Sequence, residues 1–234
     1  MKTKIKNLLK RVTYIFFPKR CGVCDKVIDI DTTFCPICET KLKRIPHYVA
    51  LLWSHGNTNF RPDYVKPKFS GCLAPFMHES GSRKLIYCFK FKNRMELADL
   101  IADEMADVYF MYYEKFNIDI MTAVPMRLSA KMSRGYDQVD ELCKRLTKRI
   151  NLPYMKLLKQ TGKKKPQHTL RSARLRPDNV RGIYSYVSKE DIKGKTVLLV
   201  DDIITTGSTV NECAKMLKRA GAKEVFCLSA TIHG

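Results

Sequence analysis

The clearest apolar pattern in the chain lies near its C-terminal end. Val197, Leu198, Leu199 and Val200 follow one another with no polar alternation, as expected of a strand covered on both faces in a parallel sheet. Asp201 and Asp202 come next, then a polar stretch from Thr205 to Thr209 that reads as a tight loop. Val210, Cys213, Ala214 and Leu217 recur at i, i+3, i+4 and i+7, one face of an amphipathic helix that Gly221 stops. A last strand is predicted from about Glu224 to Ser229. Upstream, Leu97, Leu100, Ile101, Met105 and Val108 mark one face of a helix of about five or six turns. The segment "IDIMTAVPMRLSAKMSRGYDQ" predicts a strand ending near Val124, a loop from Pro125 and a helix entered after Arg134-Gly135. At the start, Ile5, Leu8, Leu9, Val12, Ile15 and Phe16 share a helical face. Strands that alternate with helices imply an α/β fold with a mainly parallel sheet. In such folds ligands settle where strands end and helices begin.

Length then bounds the organisation. The 234 residues suit one ordinary domain with a small appendage, and 45% apolar residues supply a buried core. We divide the chain into 1–47, a basic helix with a cysteine module; 48–80, a Pro-punctuated linker able to carry short strands or hood elements; and 81–234, the main domain. No apolar run approaches the ~20 residues of a membrane span. The start has lysines and "YIFF" like a signal peptide, but Lys10 and Arg11 interrupt it and no small-residue cleavage site follows.

Charge narrows the partners. The formal net charge is +20, and it is unevenly spread. Residues 127 to 176 carry fifteen Lys or Arg against Asp137, Asp140 and Glu141. Such a surface favours phosphate-rich partners, nucleic acid or anionic ligands, with a plain solvated basic surface as the alternative. The densest part, "KQTGKKKPQHTLRSARLRPDNVRGIY", is broken by Gly162, Pro166 and Pro177 and reads as a flap that orders on a phosphate ligand. It could equally track a nucleic-acid backbone, although no aromatic residue lies between Met155 and Arg181 for base stacking.

Nine cysteines bring in a metal. Cys21/Cys24 and Cys35/Cys38 form two C-x2-C pairs ten residues apart, the spacing that lets four thiolates close on one Zn²⁺. So short a module buries little core, so the metal would supply its folding free energy. An odd count with five scattered cysteines suits a reducing cytosol better than a disulfide framework.

The carboxylate pair then acquires a meaning. Asp201 and Asp202 accept only, so they suit vicinal hydroxyls or a hydrated Mg²⁺. Thr205, Thr206, Gly207, Ser208 and Thr209 offer hydroxyls and backbone N–H groups at a helix N-terminus, an anion site. Together they describe a pocket for a ribose 5-phosphate; a solvated N-cap would leave the carboxylate pair unexplained.

"VLLVDDIITTGST" resembles the phosphoribosyl pyrophosphate signature of type I phosphoribosyltransferases. The whole chain resembles the ComF family of competence-associated proteins, through the double C-x2-C, "APFMHESGSRKLIYCFKFKNRMELAD", "VPMRLSAKMSRGYDQ", "PQHTLRSARLRPDNV" and the signature itself. The resemblance implies a type I phosphoribosyltransferase-like sheet behind a four-cysteine zinc finger. It places Asp201 and Asp202 on the ribose hydroxyls as the catalytic pair and Thr205 to Thr209 on the 5-phosphate. Pro125, Met126 and Arg127 fall on its pyrophosphate loop, and residues 160 to 180 on its flap. Lys131, Arg134, Gln167 and Arg176 are further basic or flap candidates. The chain departs from the family at Tyr136-Asp137, where Phe-Asn is usual, and at His168-Thr169, within the usual Gln-x-Gly-Leu.

The same resemblance implies phosphoribosyl pyrophosphate with Mg²⁺ as ligand, single-stranded DNA and a helicase-like competence protein as partners, and a cytoplasmic location, at the inner face of the membrane through partners. Three functions stand open: a competence factor for DNA uptake whose pocket binds a ligand or DNA; a working phosphoribosyltransferase; or a module that only senses the metabolite.

Overall fold

A computed structural model describes residues 16–45, 67–92, 94–161 and 182–233. Most of the expected N-terminal helix, much of the 48–80 segment, and residues 162–181 of the expected flap, with Gln167 and Arg176, lie outside the described residues.

The chain order is α1 (Pro36–Glu39), β1 (Gly71–Leu73), β2 (Phe76–Met77), α2 (Ser80–Phe91), α3 (Glu96–Tyr112), β3 (Ile120–Ala123), α4 (Leu128–Arg134), α5 (Gln138–Ile150), β4 (Leu158–Gln160), β5 (Tyr184–Tyr186), β6 (Thr196–Ile204), α6 (Ser208–Arg219) and β7 (Glu224–Ile232). The main sheet is parallel, in the order β1-β7-β6-β3, with β2 continuing β1 along the same edge of β7. Tyr154 adds a parallel bridge outside β3, while β4 and β5 form a separate antiparallel pair.

β6 is buried along nearly its whole length, as its unalternating apolar run requires. Helices cover both faces. α3 and α5 pack together and against the sheet, and α6 packs on β5, β6 and β7. The crossover from β3 through α5 leads outward to Tyr154, whereas that from β6 through α6 leads the other way, to β7. Right-handed crossovers running in opposite directions place their helices on opposite faces. They also open a crevice between the C-terminal ends of β3 and β6, the topological switch point at which α/β sheets bind ligands.

Three local expectations are corrected. β6 does not end at the two aspartates but runs on to Ile204, because β7 keeps pairing with it as far as Ile204↔Ile232. β7 likewise continues past Ser229 to Ile232. Backbone pairing is indifferent to side-chain polarity, so an apolar run reports only part of a ladder. Third, the loop expected after Pro125 contains α4, closed by Gly135 at φ 78°. Leu128 and Met132 are largely exposed, so this helix has no buried face to create a periodic signal.

The cysteine module is fastened to the sheet domain. Met77 N–H donates to the Lys43 carbonyl and Ile45 N–H to that of Pro75, both at 2.9 Å. Arg44 bridges Glu39 and Glu104 at 2.8 and 2.6 Å. At Gly81, in the first turn of α2, a Cβ would stand 2.2 Å from the Lys41 carbonyl oxygen, so only glycine permits this approach.

Candidate functional site

The switch point gathers the signature. Asp201 and Asp202 sit near the end of β6, 9% and 7% exposed, and the Asp202 N–H donates to Asp201 Oδ1 at 2.8 Å. Asp202 Oδ2 is 2.8 Å from Lys90 Nζ, a well-buried ion pair contributed by α2. Thr205 to Thr209 then turn into α6 and line a small concavity with Asp201, Ile203, Ile204 and Val210. Gly207 holds the N-cap position at φ 70° without a side-chain cap of its own, and the Ser208 N–H, first in the helix, donates to Thr206 Oγ1 at 3.5 Å. Thr206 Oγ1 and Ser208 Oγ are 2.9 Å apart. Charge-seeking N–H groups and hydroxyls are thus concentrated beside two carboxylates.

The other half of the crevice comes from β3. Val124 N–H donates to the Val200 carbonyl at 2.8 Å, holding the chain against β6 until Pro125, Met126 and Arg127 leave it, all partly exposed. Arg127 caps α4 in an extended conformation. Tyr184, buried on β5, shares a hydrogen bond with Thr209 and lies within electrostatic reach of Asp201 and Arg127; burial above all pushes its hydroxyl pKa up. Two chain segments are anchored on α6 as well: Lys68 N–H donates to Asn211 Oδ1 at 2.7 Å, and Gly182 N–H to buried Glu212 Oε1 at 2.9 Å.

The remaining candidates separate. Lys131 is exposed. Arg134 lies over the Phe91 ring at 4.8 Å and donates to Gln138 Oε1 at 2.9 Å. Asp137 caps α5 by accepting from the Asp140 N–H at 3.1 Å, a role the asparagine usual in the family would fill equally well. Several cations of the basic stretch are paired with carboxylates of the chain itself. Arg145 and Arg149 pair with Asp99 of α3 at 3.3 and 3.2 Å, and Lys144 and Lys156 pair with Asp140 at 3.1 and 2.8 Å. Burial raises the Asp140 pKa, but its Lys156, Tyr154 and Lys144 bonds outweigh that and hold it at about 2. Lys90 and Tyr184 were not among the sequence candidates. A single lysine in an amphipathic helix and a tyrosine beyond a basic segment carry no signal of their own.

Cys21, Cys24, Cys35 and Cys38 meet, their sulfurs all within 4.8 Å of one another. Cys24 Sγ and Cys35 Sγ are 3.7 Å apart, close to the ~3.8 Å that tetrahedral Zn–S bonds of about 2.3 Å impose. Cys35 N–H donates to Cys21 Sγ at 3.4 Å. Burial raises the Cys21 pKa, yet N–H groups of Cys35, Cys24 and Val23 overcome it and bring it to about 6. Backbone donors aimed at sulfur favour the thiolate that a metal requires, so the donor set fits a metal ion such as zinc. Among the described residues it is the one such cluster, and no helix there is long and apolar enough to cross a membrane.

Comparison with known proteins agrees with this geometry. Residues 132–231 match the phosphoribosyl transferase domain family. The DNA utilization protein YhgH of Escherichia coli K12 is 27% identical, over 91% of this chain and 90% of its own. Competence protein F of Haemophilus influenzae is 33% identical over 147 residues, 60% of this chain and 63% of that protein. A solved allosteric regulatory enzyme of purine biosynthesis is 20% identical with a TM-score of 0.41, over 62% of this chain and 30% of its own, too loose a likeness to argue from. The transferase match takes in β6, its loop and α6, so the chain has a phosphoribosyl transferase-like domain, preceded by a four-cysteine cluster, and is similar to the DNA utilization protein YhgH and competence protein F.

Proposed function

We propose that the crevice binds phosphoribosyl pyrophosphate or a related ribose phosphate, and that the protein uses it in a competence role, the handling of DNA during natural transformation. One observation carries the binding proposal: a buried aspartate pair leads directly into a hydroxyl-lined helix N-terminus at the switch point. In this reading Asp201 and Asp202 accept from the ribose hydroxyls and Thr205 to Thr209 enclose the 5-phosphate. Backbone groups of Pro125 and Met126, with Arg127, face the pyrophosphate. Mg²⁺, bound with the ligand, would neutralise part of the pyrophosphate charge. Should an acceptor attack, the ribose passes through an oxocarbenium-like state that the carboxylates stabilise, and Arg127 offsets charge on the departing pyrophosphate.

The test is calorimetric titration of phosphoribosyl pyrophosphate with Mg²⁺ into the wild type and into Asp201→Asn/Asp202→Asn. We expect binding to the wild type and none to the variant, whose retained fold is checked by circular dichroism because Lys90 loses its buried partner. Equal affinity for both would remove the aspartates from the pocket.

A second reading, single-stranded DNA binding, is favoured by a surface beside the crevice. On α2, next to Lys90, Tyr87 and Phe91 are 51% and 55% exposed with ring centroids 5.2 Å apart. Arg134 lies over Phe91, and Lys84 and Lys92 are exposed on the same helix or at its end. Exposed rings interleaved with cations suit unpaired bases on a phosphate backbone. A helicase-like partner rests on the family resemblance.

A further inference from the structure

Two histidines far apart in sequence meet at the C-terminal edge of the sheet, on the flank of β6 away from β3. β2 ends at Met77 and β7 at Ile232, and the next residue in each case is a histidine. The ladder carries both into place: His78 N–H donates to the Ile232 carbonyl at 2.7 Å, and His233 N–H to the Ile204 carbonyl, at the end of β6, at 2.9 Å. Their rings lie 4.9 Å apart, tilted by 39°. His78 Nδ1 is 2.9 Å from Thr231 Oγ1, which fixes the ring and leaves Nε2 as its remaining hydrogen-bonding atom. His78 is half-buried and His233 exposed, so the pair is ordered on one side and open on the other.

The position of the pair matters as much as its composition. Lys90 and Asp202, the ion pair within the pocket, both act electrostatically on His78. A ribose held by the loop after β6, with its pyrophosphate toward the loop after β3, has its free flank toward β7 and β2. Burial first, then His233, Arg83 and Lys90, hold the His78 pKa below the usual histidine value against the opposite pull of Asp202. The ring is therefore neutral near pH 7 and available as a flat partner of mixed donor and acceptor character.

We propose that His78 and His233 form a subsite for the ring of a nitrogen heterocycle of nucleobase type, attached to or approaching the ribose in the pocket. The subsite rests on the ribose-phosphate reading above. One imidazole supplies a face for stacking, and His78 Nε2 supplies one hydrogen bond to the ring edge.

Ribose 5-phosphate and the ribonucleoside 5′-monophosphates of adenine, guanine, cytosine and uracil are the probes, titrated calorimetrically into the full chain. At least one monophosphate should bind about tenfold tighter than ribose 5-phosphate, the gain of one stacked ring and one hydrogen bond. His78→Asn keeps an amide where Nδ1 meets Thr231 but removes Nε2, and His233→Ala removes the second ring. Each should erase most of the gain while leaving ribose 5-phosphate affinity within about twofold, as expected of independent contacts. A monophosphate gain that never appears, or that survives both substitutions, overturns the histidine subsite and leaves the phosphate pocket standing. Failure of ribose 5-phosphate to bind the wild type overturns the pocket, and the subsite with it. If His78→Asn melts early, exposed His233→Ala alone decides.

Discussion

Asp202 and Lys90 are only 11% and 14% exposed at their side chains, so each depends on the other for compensation. A buried ion pair adds little net stability, whereas removing one partner leaves an uncompensated charge. Lys90→Met should therefore cost about 3 kcal/mol in denaturant unfolding. Adding Asp202→Asn in that background should restore most of it. Additive losses in this double-mutant cycle would show that the pair is not coupled. The aspartate pair stands out in the sequence because two adjacent carboxylates directly follow an unbroken apolar run. Its lysine was not, since the contact depends on how α2 is laid against β6.

At the scale of elements, the cysteine module illustrates what spacing alone specifies. Two C-x2-C pairs already implied a closed four-sulfur site, and the sulfurs meet within 4.8 Å. The module buries few apolar side chains of its own, among them Val23, Ile28 and Phe34, so metal binding should supply most of its order. We expect about one zinc ion per chain, lost in Cys21→Ser/Cys38→Ser. Chelation should expose residues 18–45 to proteolysis while the parallel sheet remains folded. Protein that contains no zinc as purified, or a module equally resistant after chelation, would remove the metal from its folding. How the module docks was invisible beforehand: Gly81 against Lys41 and Arg44 between Glu39 and Glu104 are contacts between segments with no shared periodicity. α4 was missed for a related reason, being helical without a buried stripe.

For the molecule as a whole, net charge overstates the surface available to a polyanion. Arg145, Arg149, Lys144 and Lys156 already face carboxylates, and cations so engaged release few counterions on binding. Oligothymidylate binding should weaken with salt. Tyr87→Ala/Phe91→Ala should lower its affinity about tenfold or more while leaving the salt slope unchanged, because stacking carries no charge. A changed slope at constant low-salt affinity, or no effect, would take DNA off this helix.

The chain by itself determined whatever is written within a turn or a strand: the buried run of β6, the apolar face of α6, the hydroxyl loop between them and the four-cysteine spacing. Those features follow from side-chain periodicity and from ligand geometry over a few residues, so no neighbour needs to be known. Only the tertiary structure decided that β3 and β6 flank a switch point, that Lys90 reaches Asp202, that the basic helix spends its arginines on α3, and that His78 stands beside His233. Each of these joins residues whose proximity is set by strand order and crossover direction, and no local pattern of polarity encodes those.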